Sequence, residues 1–319
     1  MDNEKLKAHK TRNMLHTIAF VLAMSALMTI CASLLFGEDV WLWVLAGSAL
    51  AFIFLPEVSP RWVLKMYQAK SLHPSQAPQL YRMIKILSDR AQLDKMPALY
   101  WVPSQTLNAF AVGTKANASI AITDGLLRRL KQDEIAGVLA HEISHIANND
   151  LRLMNLADLL SRMTHVMSLF GILLVVFSMP LILSGFASIS ILGLLVLILA
   201  PVLSAVLQFA LSRVREFDAD VEAVSLTGDP KGLASALHKI EQQETGIWKR
   251  LVFPSYKQTD PSLFRSHPDT QERIKRLLAL QPEYRQLHYA SPWESHMLSF
   301  PEIHIIRDPR HRFLMGIWR

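Results

Sequence analysis

The chain has 319 residues, 33 Lys+Arg against 27 Asp+Glu, a formal net charge of +6, 51% hydrophobic and 19% charged residues. That is more apolar and less charged than a soluble norm. A single cysteine excludes a disulfide framework and fits a reducing compartment. No interleaving of basic and aromatic residues calls for a nucleic-acid partner.

Read from the N-terminus, the apolar excess falls into a few runs. Residues 14–37 contain no Asp, Glu, Lys or Arg, and residues 40–56 form a second such run after the acidic turn Gly37-Glu38-Asp39. No small-residue cleavage site marks the first run as a signal peptide, and the second follows at once. Residues 57–163 read as a mixed block. A helix is predicted over 75–92, with short strands over Ala98 to Val102, Phe110 to Val112 and Ile120 to Thr123, then two helices. From Thr164 to Ser212 charged residues are again absent, and the run is long enough for two spans of about 20 residues each. The expected membrane helices lie near 14–36, 40–56, 165–184 and 188–210. Residues 213–281 read as mostly helix, and residues 282–319 as an extension of weak periodicity with no assigned role.

The flanking charges set an orientation. Lys5, Lys7, Lys10 and Arg12 precede the first run; Arg61, Lys65 and Lys70 follow the second; Arg213 and Arg215 follow the fourth. The positive-inside rule then places both termini and the polar blocks in the cytoplasm. The same charge suits a domain that faces anionic lipid.

The most specific signal is His141-Glu142-Ile143-Ser144-His145, an H-E-x-x-H segment. Asp133 and Glu134 stand where a helix N-terminus favours acids, and Ile135, Val138, Leu139 and Ile146 recur at helical spacing. Residues four apart share one helix face, so His141 and His145 can offer two imidazoles to one metal ion, with Glu142 beside them as a base. The alternative is a buried helix whose histidines are satisfied by hydrogen bonds alone.

A hydrolytic zinc site needs a third protein ligand and an open position. Cys31 sits far off in an apolar run. Glu216 and Asp220 share one face of a helix that stops at Gly228-Asp229-Pro230. Glu216 is the candidate ligand, and Asp220 the candidate acceptor for the far N–H of a ligating histidine. The competing reading is an acidic helix start paired with Arg213 and Arg215.

These motifs, in this order, resemble the HtpX-type membrane metallopeptidases, relatives of the CAAX prenyl proteases. The resemblance runs from about residue 10 to about residue 280. It takes in Asn108-Ala109-Phe110-Ala111-Val112-Gly113, Gly125-Leu126-Leu127, the H-E-x-x-H helix with Asp150 just after, Arg215-Glu216 through Asp220, His267-Pro268 and Arg273-Ile274. It implies an α+β, mainly helical fold: four transmembrane helices plus a cytosolic gluzincin-like domain with a small sheet. It also implies one Zn2+ per chain held by His141, His145 and Glu216, with Glu142 as general base. The expected activity is endopeptidase cleavage of membrane or misfolded polypeptides in a bacterial inner membrane.

Further roles follow from the same resemblance. His267 is expected to donate to the developing oxyanion, or else to open a helix behind a Ser266 cap. Arg273 either orients substrate, braces the site or is a plain surface charge. Asn108, Ala109 and Phe110 belong to an edge strand that would pair with an extended substrate, or to an ordinary sheet edge. Two rival functions remain at this point: processing of prenylated peptides, and a non-catalytic membrane scaffold with a structural zinc.

Overall fold

The computed structural model describes residues 3–54, 60–186, 190–251 and 270–286. The long apolar runs become long helices: α1 (Asn3–Phe36), α7 (Asp150–Phe177) and α9 (Ile191–Thr227). Among the described residues these hold the three segments long and apolar enough to cross a membrane, with mean hydropathies of 2.4, 1.8 and 2.6. Leu22, Phe170, Val202 and Phe209 stand exposed on their outer faces, as a lipid-facing surface requires.

The described helices differ in their bounds from the expected spans. Of the run at 40–56, the described residues form the 14-residue helix α2 (Trp41–Phe54). At 1.5 Å per residue that is about 21 Å, against a hydrocarbon core of about 30 Å. Residues 55–59 lie outside the described residues. The helices expected at 165–184 and 188–210 are parts of longer ones. Helix α7 begins at Asp150, before the apolar run, and gives way to the short α8 (Met179–Leu183). Helix α9 continues past Ser212 because no Gly or Pro interrupts residues 202–227, and it ends where Gly228 turns left-handed at φ 74°.

Polar side chains inside the helix bundle have specific partners. Pro201 lies within α9 and has no N–H for the Leu197 carbonyl one turn back. That carbonyl instead accepts from Ser168 Oγ of α7 at 2.5 Å. In lipid such a carbonyl has no water to turn to. Ser204 of α9 and Ser161 of α7 bond to each other at 2.7 Å.

The polar blocks fold on a four-stranded sheet in the order β1-β2-β4-β3. Its strands are β1 (Lys70–Ser71), β2 (Ala98–Val102), β3 (Ala109–Val112) and β4 (Ser119–Thr123). β2 and β4 are parallel; β1 pairs antiparallel to β2, and β3 antiparallel to β4. Central β4 is buried throughout, while β3 is an edge. The three strands read from sequence are present. β1 was not readable, because two residues are too few for an alternation to register.

One face of the sheet packs with α4 (Pro78–Arg90), α6 (Gln132–Ala147), α10 (Pro230–Leu251) and α11 (Thr270–Gln286) in the main core. On the other face α3 (Pro60–Met66) adds Leu64 to a small cluster with Val102, Phe110 and Val112. Helices α6 and α10 meet closely at Gly137, where a Cβ would come within 2.8 Å of the Leu233 backbone nitrogen. Glycine permits that approach.

Candidate active site and metal centre

Helix α6 starts where its sequence says it should. The Glu134 carboxylate accepts from the Lys131 backbone N–H at 2.7 Å, satisfying a free donor of the first turn. It also accepts from Ser235 Oγ and Lys239 Nζ of α10, both at 2.6 Å. Burial alone would push this carboxyl up, but Lys239, Ser235 and the Lys131 N–H hold it below its ordinary value.

Two turns further along, His141 and His145 project from the same face, with Nε2 atoms 3.2 Å apart. Glu216 of α9 faces them. Its carboxylate lies 3.3 Å from His141 Nε2 and 3.7 Å from His145 Nε2. One ligand atom from each of the three residues lies within 4.8 Å of the others, and all three side chains are buried. Two imidazole nitrogens and one carboxylate oxygen, converging in a buried place, are a donor set that fits a catalytic zinc ion.

Each histidine has a carboxylate behind it. Asp220 Oδ1 lies 3.1 Å from His141 Nδ1, an ion-pair contact without the alignment of a full hydrogen bond. Asp150 Oδ2 lies 3.0 Å from His145 Nδ1. Burial lowers the His141 imidazole, yet Asp220 and Glu216 outweigh burial and lift it to about 9. Burial and His141 act against protonation of His145, and Asp150 and Glu216 raise it overall.

Asp150 had no role in the sequence reading. It stands five residues beyond His145 and reaches back because the chain reverses at Asn149, the residue before α7, held left-handed at φ 56°. Asparagine tolerates that conformation. The Asn-Asn pair between two helical runs is the sign of the turn, though nothing in the sequence says which side chain it returns.

Arg273 of α11 is buried at 2% exposure. Its Nε and Nη2 donate to the two oxygens of Asp220 at 2.7 Å each, and Nη1 lies 2.8 Å from Glu216 Oε2. The carboxylates keep the guanidinium charged despite burial. With all three nitrogens engaged, Arg273 faces the site's acids and not a substrate surface. A surface charge, the plainest of its expected roles, is excluded by its burial.

Glu142 is half-buried beside the two histidines. Its Oε2 accepts from the Ala111 backbone N–H at 2.9 Å. Edge strand β3 thus borders Glu142 directly. The Asn108 carbonyl accepts from the Thr123 N–H, and its N–H donates to Thr123 Oγ1, so its backbone faces β4. Backbone directions alternate along a strand. Ala109 and Ala111 therefore point toward the site, while Phe110 points to β4. The Phe110 side chain packs on Tyr67 of the far face, with ring centroids 4.7 Å apart. Of the three expected edge-strand residues, Asn108, Ala109 and Phe110, Ala109 has its backbone turned to the site. The loop before β3 is held by Gln243 of α10, which bonds the Leu107 N–H at 2.6 Å and the Gln105 carbonyl at 3.0 Å. His267 lies outside the described residues.

The chain matches Peptidase family M48 over residues 74–281. It is 32% identical over 291 residues to the Protease HtpX homolog of Methylibium petroleiphilum, covering 85% of this chain and 99% of that relative. To the Protease HtpX homolog of Acaryochloris marina it is 37% identical over 248 residues, covering 72% of this chain and 80% of that relative. The crystal structure of S. mikatae Ste24p aligns with a TM-score of 0.47 at 21% identity, over 85% of this chain and 66% of that one. Matched over more than half its length by the family, and over most of its length by these relatives, the chain belongs to peptidase family M48, alongside the HtpX homologues.

Proposed function

We propose that the protein is a membrane-bound zinc endopeptidase that hydrolyses peptide bonds of membrane or misfolded polypeptides at the site between α6 and α9. The observation that carries this reading is the convergence of His141, His145 and Glu216 ligand atoms within 4.8 Å, with Glu142 beside them. One zinc ion per chain would be held by these three side chains. When bound, zinc supplies a Lewis acid for the scissile carbonyl and for the attacking water.

The protein's own residues do the rest. Glu142 takes the proton of the attacking water and returns it to the leaving amine. Its link to the Ala111 N–H orients the carboxylate toward the cleft. Asp220 and Asp150 fix the ring orientations of His141 and His145 from behind. Arg273 holds Asp220 and Glu216 in place and offsets their charge. The outward backbone groups of Ala109 and the carbonyl of Ala111, whose N–H is taken by Glu142, offer an extended polypeptide an edge to pair with. His267 stands as a candidate oxyanion donor.

A structural-zinc scaffold has no use for a base at the position of Glu142. The curated relatives reported above carry the HtpX name, which favours general polypeptide substrates over prenylated peptides. The proposal includes a bacterial inner-membrane location, a site on the cytoplasmic side and a part in protein quality control; the three apolar helices support a membrane protein, and the basic flanks support that orientation.

Metal removal tests the proposal. Detergent-purified protein stripped with a chelator should lose cleavage of an unfolded protein such as casein and recover it on addition of zinc. Undiminished cleavage by fully stripped protein would contradict it.

A further inference from the structure

A charged side chain that the proposed chemistry does not use lies where the membrane helices meet the site. Arg215 precedes Glu216 on α9 and is 7% exposed. Its Nη1 lies 3.3 Å from Asp150 Oδ1, and the other oxygen of Asp150 contacts His145 Nδ1 at 3.0 Å. On its far side Arg215 Nη2 donates to Thr17 Oγ1 of α1. Thr17 lies near the start of the charge-free run of that helix. Below this contact Phe20 and Met24 of α1 pack with Leu153, Leu156 and Leu211 in one apolar cluster. A buried ionisable group at such a boundary is costly and needs a stated purpose.

We infer that Arg215 is a positioning residue that joins the first membrane helix to the metal centre through Thr17, Arg215, Asp150 and His145. Arg215 holds one oxygen of Asp150 so that the other is directed at His145, and Thr17 fixes the guanidinium in that direction. The seating of α1 against α7 and α9 thereby sets how firmly His145 is presented to the metal. Asp150 alone could orient His145. Its second oxygen, however, is also held, and among the described contacts the side chain that holds it comes from α9 while the anchor of that side chain comes from α1.

This inference rests on the zinc reading, so wild-type protein must first bind zinc; if it does not, that reading fails and not this one. The test is zinc affinity, measured by competition with a chromogenic chelator on full-length protein in detergent, for the wild type, Arg215→Met, Arg215→Lys and Thr17→Val. Loss of an outer partner typically weakens metal binding about 10–100-fold. Arg215 acts one step further out, through Asp150, so Arg215→Met should lose up to about 10-fold, Arg215→Lys should recover most of the loss, and Thr17→Val should show a smaller loss in the same direction. The cobalt-substituted Arg215→Met protein should show a shifted visible spectrum. Thr17→Val is nearly isosteric and decides the matter if Arg215→Met fails to fold. Zinc affinity of Thr17→Val equal to wild type would overturn the link to α1. Wild-type affinity and an unchanged cobalt spectrum in folded Arg215→Met would overturn the role of Arg215.

Discussion

Arg273 and Asp220 form a two-pronged ion pair, with Nε to Oδ2 and Nη2 to Oδ1 both at 2.7 Å, and this pair ties α11 to the helix that carries Glu216. Helix α9 reaches the site directly from the membrane. Arg273 is therefore the clamp that closes the polar block over the helix that carries Glu216. Removing one partner of a buried pair leaves an uncompensated charge and costs about 3–5 kcal/mol. Arg273→Met should lower the thermal midpoint markedly and reduce zinc content together. A variant as stable and as zinc-loaded as wild type would show that the clamp is dispensable.

Glu216→Ala removes the sole carboxylate of the proposed ligand set. Metal analysis of the purified variant should find it largely free of zinc under conditions that load the wild type. Full loading would move the third ligand elsewhere.

Much of this site was readable because helical periodicity is local. The four-residue spacing that predicts a shared face for His141 and His145 corresponds to the 3.2 Å between their Nε2 atoms. The same spacing puts Glu216 and Asp220 on the face that meets them. The strands over 98–102 and 120–123 were readable because strand residues cluster there between turns. What was not readable depends on long-range closure. Arg273 looks like an exposed helix charge until α11 docks and buries it. Asp150 gains a partner only once Asn149 reverses the chain. Helix ends failed for a different reason: hydropathy marks the apolar run, whereas backbone hydrogen bonding carries α7 and α9 well beyond it.

Ser168 and Leu197 offer a check on the membrane bundle. The Ser168 hydroxyl satisfies the carbonyl that Pro201 leaves without an N–H partner. Hydrogen bonds between membrane helices are worth about 0.6 kcal/mol on average and up to about 1.7 kcal/mol. Ser168→Ala should destabilise the protein toward the upper end of that range, since no water replaces the donor. Unfolding titrations in detergent would read it, and no change would mean that the carbonyl finds another donor.

Glu134 gives a pH dependence. Its carboxyl is held low in the folded protein, so its stabilising effect is present above the ordinary value of about 4.3 and is lost as pH falls through the folded value. Glu134→Gln should therefore lower the melting temperature at pH ~7, and the gap from wild type should narrow at pH ~4 and below. A gap of constant size across that range would assign the effect to hydrogen bonding and not to charge.

The account turns on Glu142, and the most direct measurement pairs zinc content with casein cleavage in wild type and Glu142→Gln. Both proteins should be purified with a chelator to limit self-cleavage and then given zinc. General-base catalysis contributes about 10²–10⁴-fold to rate. The account predicts equal zinc in the two proteins, with turnover in Glu142→Gln reduced by that factor or more. Wild-type turnover in a zinc-loaded Glu142→Gln protein would contradict it.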